Sequence, residues 1–107
     1  MKVVMKKSDA KEPFSWTFQD DGKSILRSEN YKEKRSAVNG IESVKKNCDN
    51  DARYELKTSS NGKFFFNLKA ANGQIIGTSP MFASDAERRA AIDALKAKAA
   101  SATVEEA

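Results

Sequence analysis

Polar and apolar side chains alternate from Arg53 to Thr58, with Tyr54 and Leu56 facing one way and Glu55 and Lys57 the other, which predicts a half-buried strand. Ser60-Asn61-Gly62 then supplies a tight turn, since Asn and Gly tolerate positive φ. Lys63 to Lys69 alternates again, with Phe64, Phe66 and Leu68 on the core face and Lys63, Phe65, Asn67 and Lys69 on the other. Asn72-Gly73 closes a second hairpin, and Gln74 to Thr78 is a third strand carrying Ile75 and Ile76. After Pro80 the period becomes helical. Ser84 and Glu87 have capping-box spacing, and Ala91, Ile92, Leu95 and Ala99 recur on one face, predicting a helix over about 85–99.

The same scheme occurs earlier in the chain. Gly22 to Lys45 and Gly73 to Lys96 run in register at a constant spacing of 51 residues, so that Ser28 matches Ser79, Tyr31 matches Phe82, Ile41 matches Ile92 and Val44 matches Leu95. Phe14, Trp16 and Phe18 fall opposite Phe64, Phe66 and Leu68 at a spacing of 50, and Val3 and Met5 line up with Tyr54 and Leu56. Self-similarity at a fixed period marks a duplicated structural unit. Repeat 1 covers about 1–48, repeat 2 about 53–99, and 100–107 is read as a frayed tail in which Thr103-Val104 could add a brief edge strand. The first helix, about 34–47, buries Ala37, Ile41, Val44 and Cys48. Gly40 interrupts it opposite Ala91, and a mid-helix glycine costs about 1 kcal/mol against alanine, which implies close approach to a neighbouring element.

Length adds a constraint on how the halves are arranged. With 107 residues in all, each half alone is marginal for an independent core, so residues 1–107 are expected to form a single domain with one shared core. The expected core holds Phe14, Trp16, Phe18, Tyr54, Leu56, Phe64, Phe66, Leu68, Ile41, Val44, Ile92 and Leu95. No apolar run approaches the roughly 20 residues that cross a bilayer, and Met1 to Lys7 is too short for a signal-peptide core, so a cytoplasmic location without membrane contact is the expectation.

The segments Gly62-Lys-Phe-Phe-Phe-Asn-Leu-Lys-Ala-Ala-Asn-Gly-Gln-Ile-Ile-Gly-Thr-Ser79 and Asn39-Gly-Ile-Glu-Ser-Val-Lys-Lys-Asn47 resemble the YegP-like family of small, mostly bacterial proteins with one copy or tandem copies of a β-β-β-α unit. The resemblance spans nearly the whole chain. It implies an α+β fold in which the duplicated units join into one six-stranded antiparallel sheet with both helices on one face. It implies no activity, and no functional residue is carried over. The chain departs from the pattern in the first hairpin of repeat 1 and at Arg88-Arg89-Ala90-Ala91, which stands in place of an Asn-Gly-Ile stretch.

The chemistry available is narrow. There is one cysteine, Cys48, and no histidine, so neither an intramolecular disulfide nor a Cys/His zinc site can form within one chain. No glycine-rich phosphate loop is present, since Gly62 and Gly73 belong to hairpins, and adjacent Asp20 and Asp21 diverge at a strand end. No catalytic residue, cofactor site or metal site is assigned, and a carboxylate or lysine enzyme is the weaker rival. The net charge of +4 is spread, with eleven basic and eight acidic side chains in residues 1–50 and eight and seven in 51–107. Trp16 reads as a packing anchor and Cys48 as an inert core thiol. Lys45 and Lys46 suit the negative end of a helix dipole. The most suggestive group is Lys63, Phe65, Asn67 and Lys69 on the open sheet face, because a ring among lysines can stack bases while neutralising phosphates. The expected function is non-enzymatic: macromolecular binding or self-association as a homodimer, with weak single-stranded nucleic-acid binding through that face as the alternative.

Overall fold

The alternating segments form strands where the pattern places them, in a computed structural model that describes residues 1–106. In chain order they are β1 (Lys2–Lys7), β2 (Phe14–Asp20), β3 (Lys23–Arg27), β4 (Tyr54–Thr58), β5 (Phe64–Lys69), β6 (Ile75–Thr78) and β7 (Thr103–Glu106). The helices are α1 (Lys34–Asn47), between β3 and β4, and α2 (Asp85–Lys98), between β6 and β7. Ser84 caps α2 by accepting from the Glu87 N–H at 3.2 Å, while the Glu87 carboxylate returns to the Ala83 N–H at 3.1 Å. The capping box therefore reaches one residue further back than its simplest form.

All seven strands lie in one sheet, in the order β4-β5-β6-β3-β2-β1-β7. The expected six-stranded antiparallel sheet needs correction at one edge. Thr103–Glu106 adds a seventh strand running parallel to β1, with Val3 opposite Val104, so the sheet is mixed. Of the two readings of 100–107, the frayed tail gives way to the edge strand at Thr103-Val104, which follows a short 3-10 turn (Ala99–Ser101); the last residue, Ala107, lies outside the described residues.

Trp16, Phe18, Leu26, Ile41, Val44, Phe66, Leu68 and Leu95 are fully buried in one cluster to which both repeats contribute. Several expected core positions sit at its margin instead: Phe14, Tyr54 and Ile92 are half-buried against it, and Leu56 is 44% exposed because it stands on the terminal strand. Ile25 and Leu26, though adjacent, are both buried, since the β2–β3 register shifts between Phe18 and Gln19 and breaks the alternation there. Arg88 is buried as well. Its guanidinium donates to the Lys57 carbonyl at 3.0 Å and lies 5.2 Å from the centre of the Phe64 ring, tying α2 to the sheet.

Both mid-element glycines have steric causes. A Cβ on Gly40 would stand 2.6 Å from the Tyr31 hydroxyl oxygen and 2.9 Å from Trp16 Nε1. In repeat 2 the matching trio is Phe66, Phe82 and Ala91, whose rings stack at 6.4 Å and leave room for the methyl group. Gly77 stands where the repeats meet, and a Cβ there would come 3.0 Å from both the Arg27 carbonyl and Leu26 Cγ.

Gly40→Ala gains about 1 kcal/mol of helix propensity but overpacks a rigid site at a cost of about 1–3 kcal/mol, so a net loss of stability is expected in urea unfolding. The loss should shrink in a Tyr31→Phe background, which removes the nearest atom; equal losses in both backgrounds would contradict the steric account. Gly77→Ala should likewise destabilise by about 1–3 kcal/mol, because the backbone at Arg27 cannot swing aside, and an unchanged unfolding midpoint would contradict that.

Candidate functional site

Cross-strand partners share a face, so the registers identify the side of the sheet that neither helix covers. One row runs through every strand: Glu55, Asn67, Thr78, Arg27, Thr17, Val4 and Glu105. Neighbouring rows on the same face add Lys57 opposite Phe65, Lys69 opposite Ile75, and Lys2 and Lys6 opposite Gln19 and Ser15. The face carries Lys2, Lys6, Arg27, Lys57 and Lys69 against two carboxylates, Glu55 and Glu105. The mild excess positive charge of the chain is therefore concentrated here.

The four residues singled out from the sequence occupy this region but are not equally free. Phe65 lies in β5 across from Lys57 and is half-buried by its neighbours. Asn67 is only 6% exposed, because its amide donates to Glu55 at 3.1 Å and accepts from the Thr78 hydroxyl at 2.8 Å. Lys69 donates to the other Glu55 oxygen at 2.7 Å. Lys63 precedes β5, is exposed, and its N–H is held by the Ser59 hydroxyl at 3.1 Å. Two of the four are thus committed to an internal polar ladder. Lys6 and Arg27, which sequence reasoning passed over, form no ion pair among the described residues. Their placement depends on the strand order, which brings β3 to the middle of the sheet.

Two grooves on the helix side form a second candidate. One, of about 270 Å³, lies between α1 and β6 and includes Tyr31, Ser36, Asn39, Gly40 and Ser43 in its lining. The other, of about 410 Å³, takes the matching place in the repeat and presents Phe82, Glu87, Ala90, Ala91 and Ala94 at the matching positions. Hydroxyl and amide side chains in one copy thus face mostly alanines in the other. Behind the polar groove Trp16 Nε1 is fully buried without an acceptor in hydrogen-bonding geometry, although it lies near enough to the Tyr31 oxygen to favour its ionised form. Burial outweighs this and raises the Tyr31 pKa.

Cys48 is buried, and desolvation, with the Asp49 charge behind it, raises its thiol pKa, so the thiolate that redox chemistry needs is disfavoured. Among the described residues no group of His, Cys, Asp and Glu is arranged to hold a metal ion. No helix of the described residues is long and apolar enough to cross a membrane.

The Glu55 carboxyl is held below its ordinary value of 4.5, first by the Lys69 hydrogen bond and then by that of Asn67. A folded pKa below the unfolded one means that the ladder's contribution is present above about pH 4.5 and is lost as pH falls through the folded value. Carboxyl-detected NMR titration should place the Glu55 midpoint below 4.5, and Lys69→Met should raise it. An unmoved midpoint would mean that Lys69 is not its partner in solution.

Comparison with known proteins supplies a family. The family described as "Domain of unknown function (DUF1508)" matches residues 9–55 and again 59–106. Each match runs from ahead of a β2- or β5-type strand through the helix into the next strand. The family unit is therefore in a different phase from the expected β-β-β-α, and leaves β1 outside it. A UPF0339 protein encoded in the 5′ region of the ptx operon of Stutzerimonas stutzeri is 52% identical over 87 residues, covering 81% of this chain and 78% of that protein. The UPF0339 protein YegP of Escherichia coli strain K12 is 52% identical over 86 residues, covering 80% and 78%. The solution NMR structure of a UPF0339 protein from Shewanella oneidensis superposes with a TM-score of 0.90 at 40% identity, covering 98% of this chain and 89% of that one. That of E. coli yegP, described as a protein of unknown function, gives 0.90 at 45% identity, covering 98% and 90%.

Proposed function

Because the chain belongs to the DUF1508 family, whose description assigns no reaction and so hands down no active site, we propose from its surface chemistry that it is a non-enzymatic binding module working through the helix-free face of its sheet. The observation that carries this reading is the excess of cations on that face, where Lys2, Lys6, Arg27, Lys57 and Lys69 oppose two carboxylates around a half-buried phenyl ring. The ligand best suited to such a surface is a flexible polyanion with flat groups to stack, which is to say single-stranded nucleic acid.

Affinity on this reading is low. Stacking on Phe65 contributes about 1–3 kcal/mol, and two or three phosphate contacts add a salt-dependent term, which together give micromolar or weaker binding without sequence preference. Lys57, Arg27 and Lys6 supply the phosphate contacts, while Asn67 and Lys69 stiffen the platform through Glu55.

NMR titration of the labelled chain with short RNA and DNA oligomers at low salt reads the surface directly. Shifts are expected at Phe65, Lys57 and Arg27, and Phe65→Ala should weaken binding about tenfold or more. Uniform small shifts at every lysine would reduce the reading to generic charge attraction, and an absence of shifts would end it.

A further inference from the structure

The two ends of the sheet are chemically unlike. At one end β7 exposes Glu105 and Glu106, which pair with Lys2 and Lys34, so a second β7 laid alongside would bring carboxylates together. At the other end β4 runs in unbroken register with β5 from Tyr54 to Thr58, contains no proline, and leaves Leu56 44% exposed beside a groove of about 400 Å³ against α2. Such an edge is a template for another strand.

Hydrogen bonding fixes which residues of β4 point outward. The N–H groups of Phe64 and Phe66 turn away from β4, to the Phe82 carbonyl and the Ser79 hydroxyl, so Phe65 and Asn67 bond toward β4. Their partners Lys57 and Glu55 are therefore used up, and the outward backbone belongs to Tyr54, Leu56 and Thr58, of which Tyr54 offers only its carbonyl because its N–H donates to the Asp51 carbonyl. In antiparallel pairing of β4 with its own copy, outward residues must face outward residues, which leaves three central registers. One opposes Glu55 to Glu55 and another Lys57 to Lys57. The third centres Leu56 on Leu56, sets Tyr54 against Thr58, and places Glu55 against Lys57 twice.

We propose that this chain forms a two-fold symmetric dimer by antiparallel pairing of β4 with β4 of a second copy, in the register centred on Leu56. The partner's Leu56 fills the apolar mouth of the groove beside Tyr54 and Ile92, and the Glu55–Lys57 pairs lie on the opposite, helix-free side. Both helix layers fall on the same side of one continuous sheet. Pairing edge to edge closes the assembly, because both remaining ends are the acidic β7. The dimer requires no polyanion on the open face, although Lys57 belongs to both surfaces, and its test reads association of the chain with itself alone.

Light scattering after size exclusion, with NMR on the same samples from about 10 μM to about 1 mM, tests it across the range of a weak dimer. The mass should rise from 11.8 kDa toward twice that value, with concentration-dependent shifts at the Leu56 and Thr58 amides. Lys57→Glu, which sets acid against acid in that register, should weaken dimerisation about tenfold, and mixing it with Glu55→Lys should restore a dimer. A monomer at the highest concentration, shifts confined to β7, or a dimer indifferent to Lys57→Glu would each overturn the proposal. Should Glu55→Lys fail to fold for want of its Lys69 contact, the wild-type amide shifts and the Lys57→Glu comparison still decide.

Discussion

The meeting of β3 and β6 is the contact on which the rest of the molecule depends, and it leaves room for one side chain where symmetry would supply two. Duplication places Leu26 and Gly77 at matching positions 51 residues apart, and both come to the junction between the repeats. Leu26 is completely buried there, and Gly77 gives it space, since even a Cβ would press against Leu26 and the Arg27 carbonyl. A leucine in both copies would force the strands apart. A glycine in both would leave a cavity at the centre of the core. The asymmetry of the pair follows from packing, and it allows two marginal units to share one core.

A second asymmetry concerns the strand that follows each helix. After α1 the chain enters β4 and pairs antiparallel with β5; after α2, equivalent geometry would carry β7 to β2. That place is already held by β1, whose Val3 and Met5 are buried, whereas every position of β7 is exposed. With only Val104 to offer against two core side chains, β7 settles outside β1 in the same direction, and the sheet becomes mixed. The matched family unit, which ends in the strand after the helix, describes this phase more directly than the one read from strand order alone.

Much of this was legible from residue pattern. Period-two alternation placed six strands, the 51-residue self-similarity placed the second copy on the first, and Gly40 announced a close approach that the structure resolves as Tyr31 and Trp16 over the helix backbone. What escaped was set by tertiary context. Thr103-Val104 carries so little apolar character that an edge strand there was only the second reading of the tail, and it pairs because β1 offers an open edge and lysines to meet the carboxylates that follow. Leu56 alternates like a core residue, yet its strand ends the sheet, a property of strand order that no local pattern encodes. Arg88, noted in the sequence only as part of a departure from the family pattern, takes the place of Ala37 in the repeat and is buried because the Lys57 carbonyl, Asp85 and the Phe64 ring satisfy it together.

The candidate face obeys the same logic. Alternation put Lys63, Phe65, Asn67 and Lys69 on one side of a strand, but could not show that the Glu55 carboxylate, on the strand just before it, would engage both Asn67 and Lys69. Arg27 and Lys6 came to the same surface through strand order alone. A part-buried polar ladder of this kind contributes rigidity, since each member is satisfied only when β4, β5 and β6 hold register. It keeps the β4–β5–β6 end of the sheet polar where no helix covers it. The duplicated unit thus spends its apolar residues on one face of the sheet and leaves the other to the chemistry of charge.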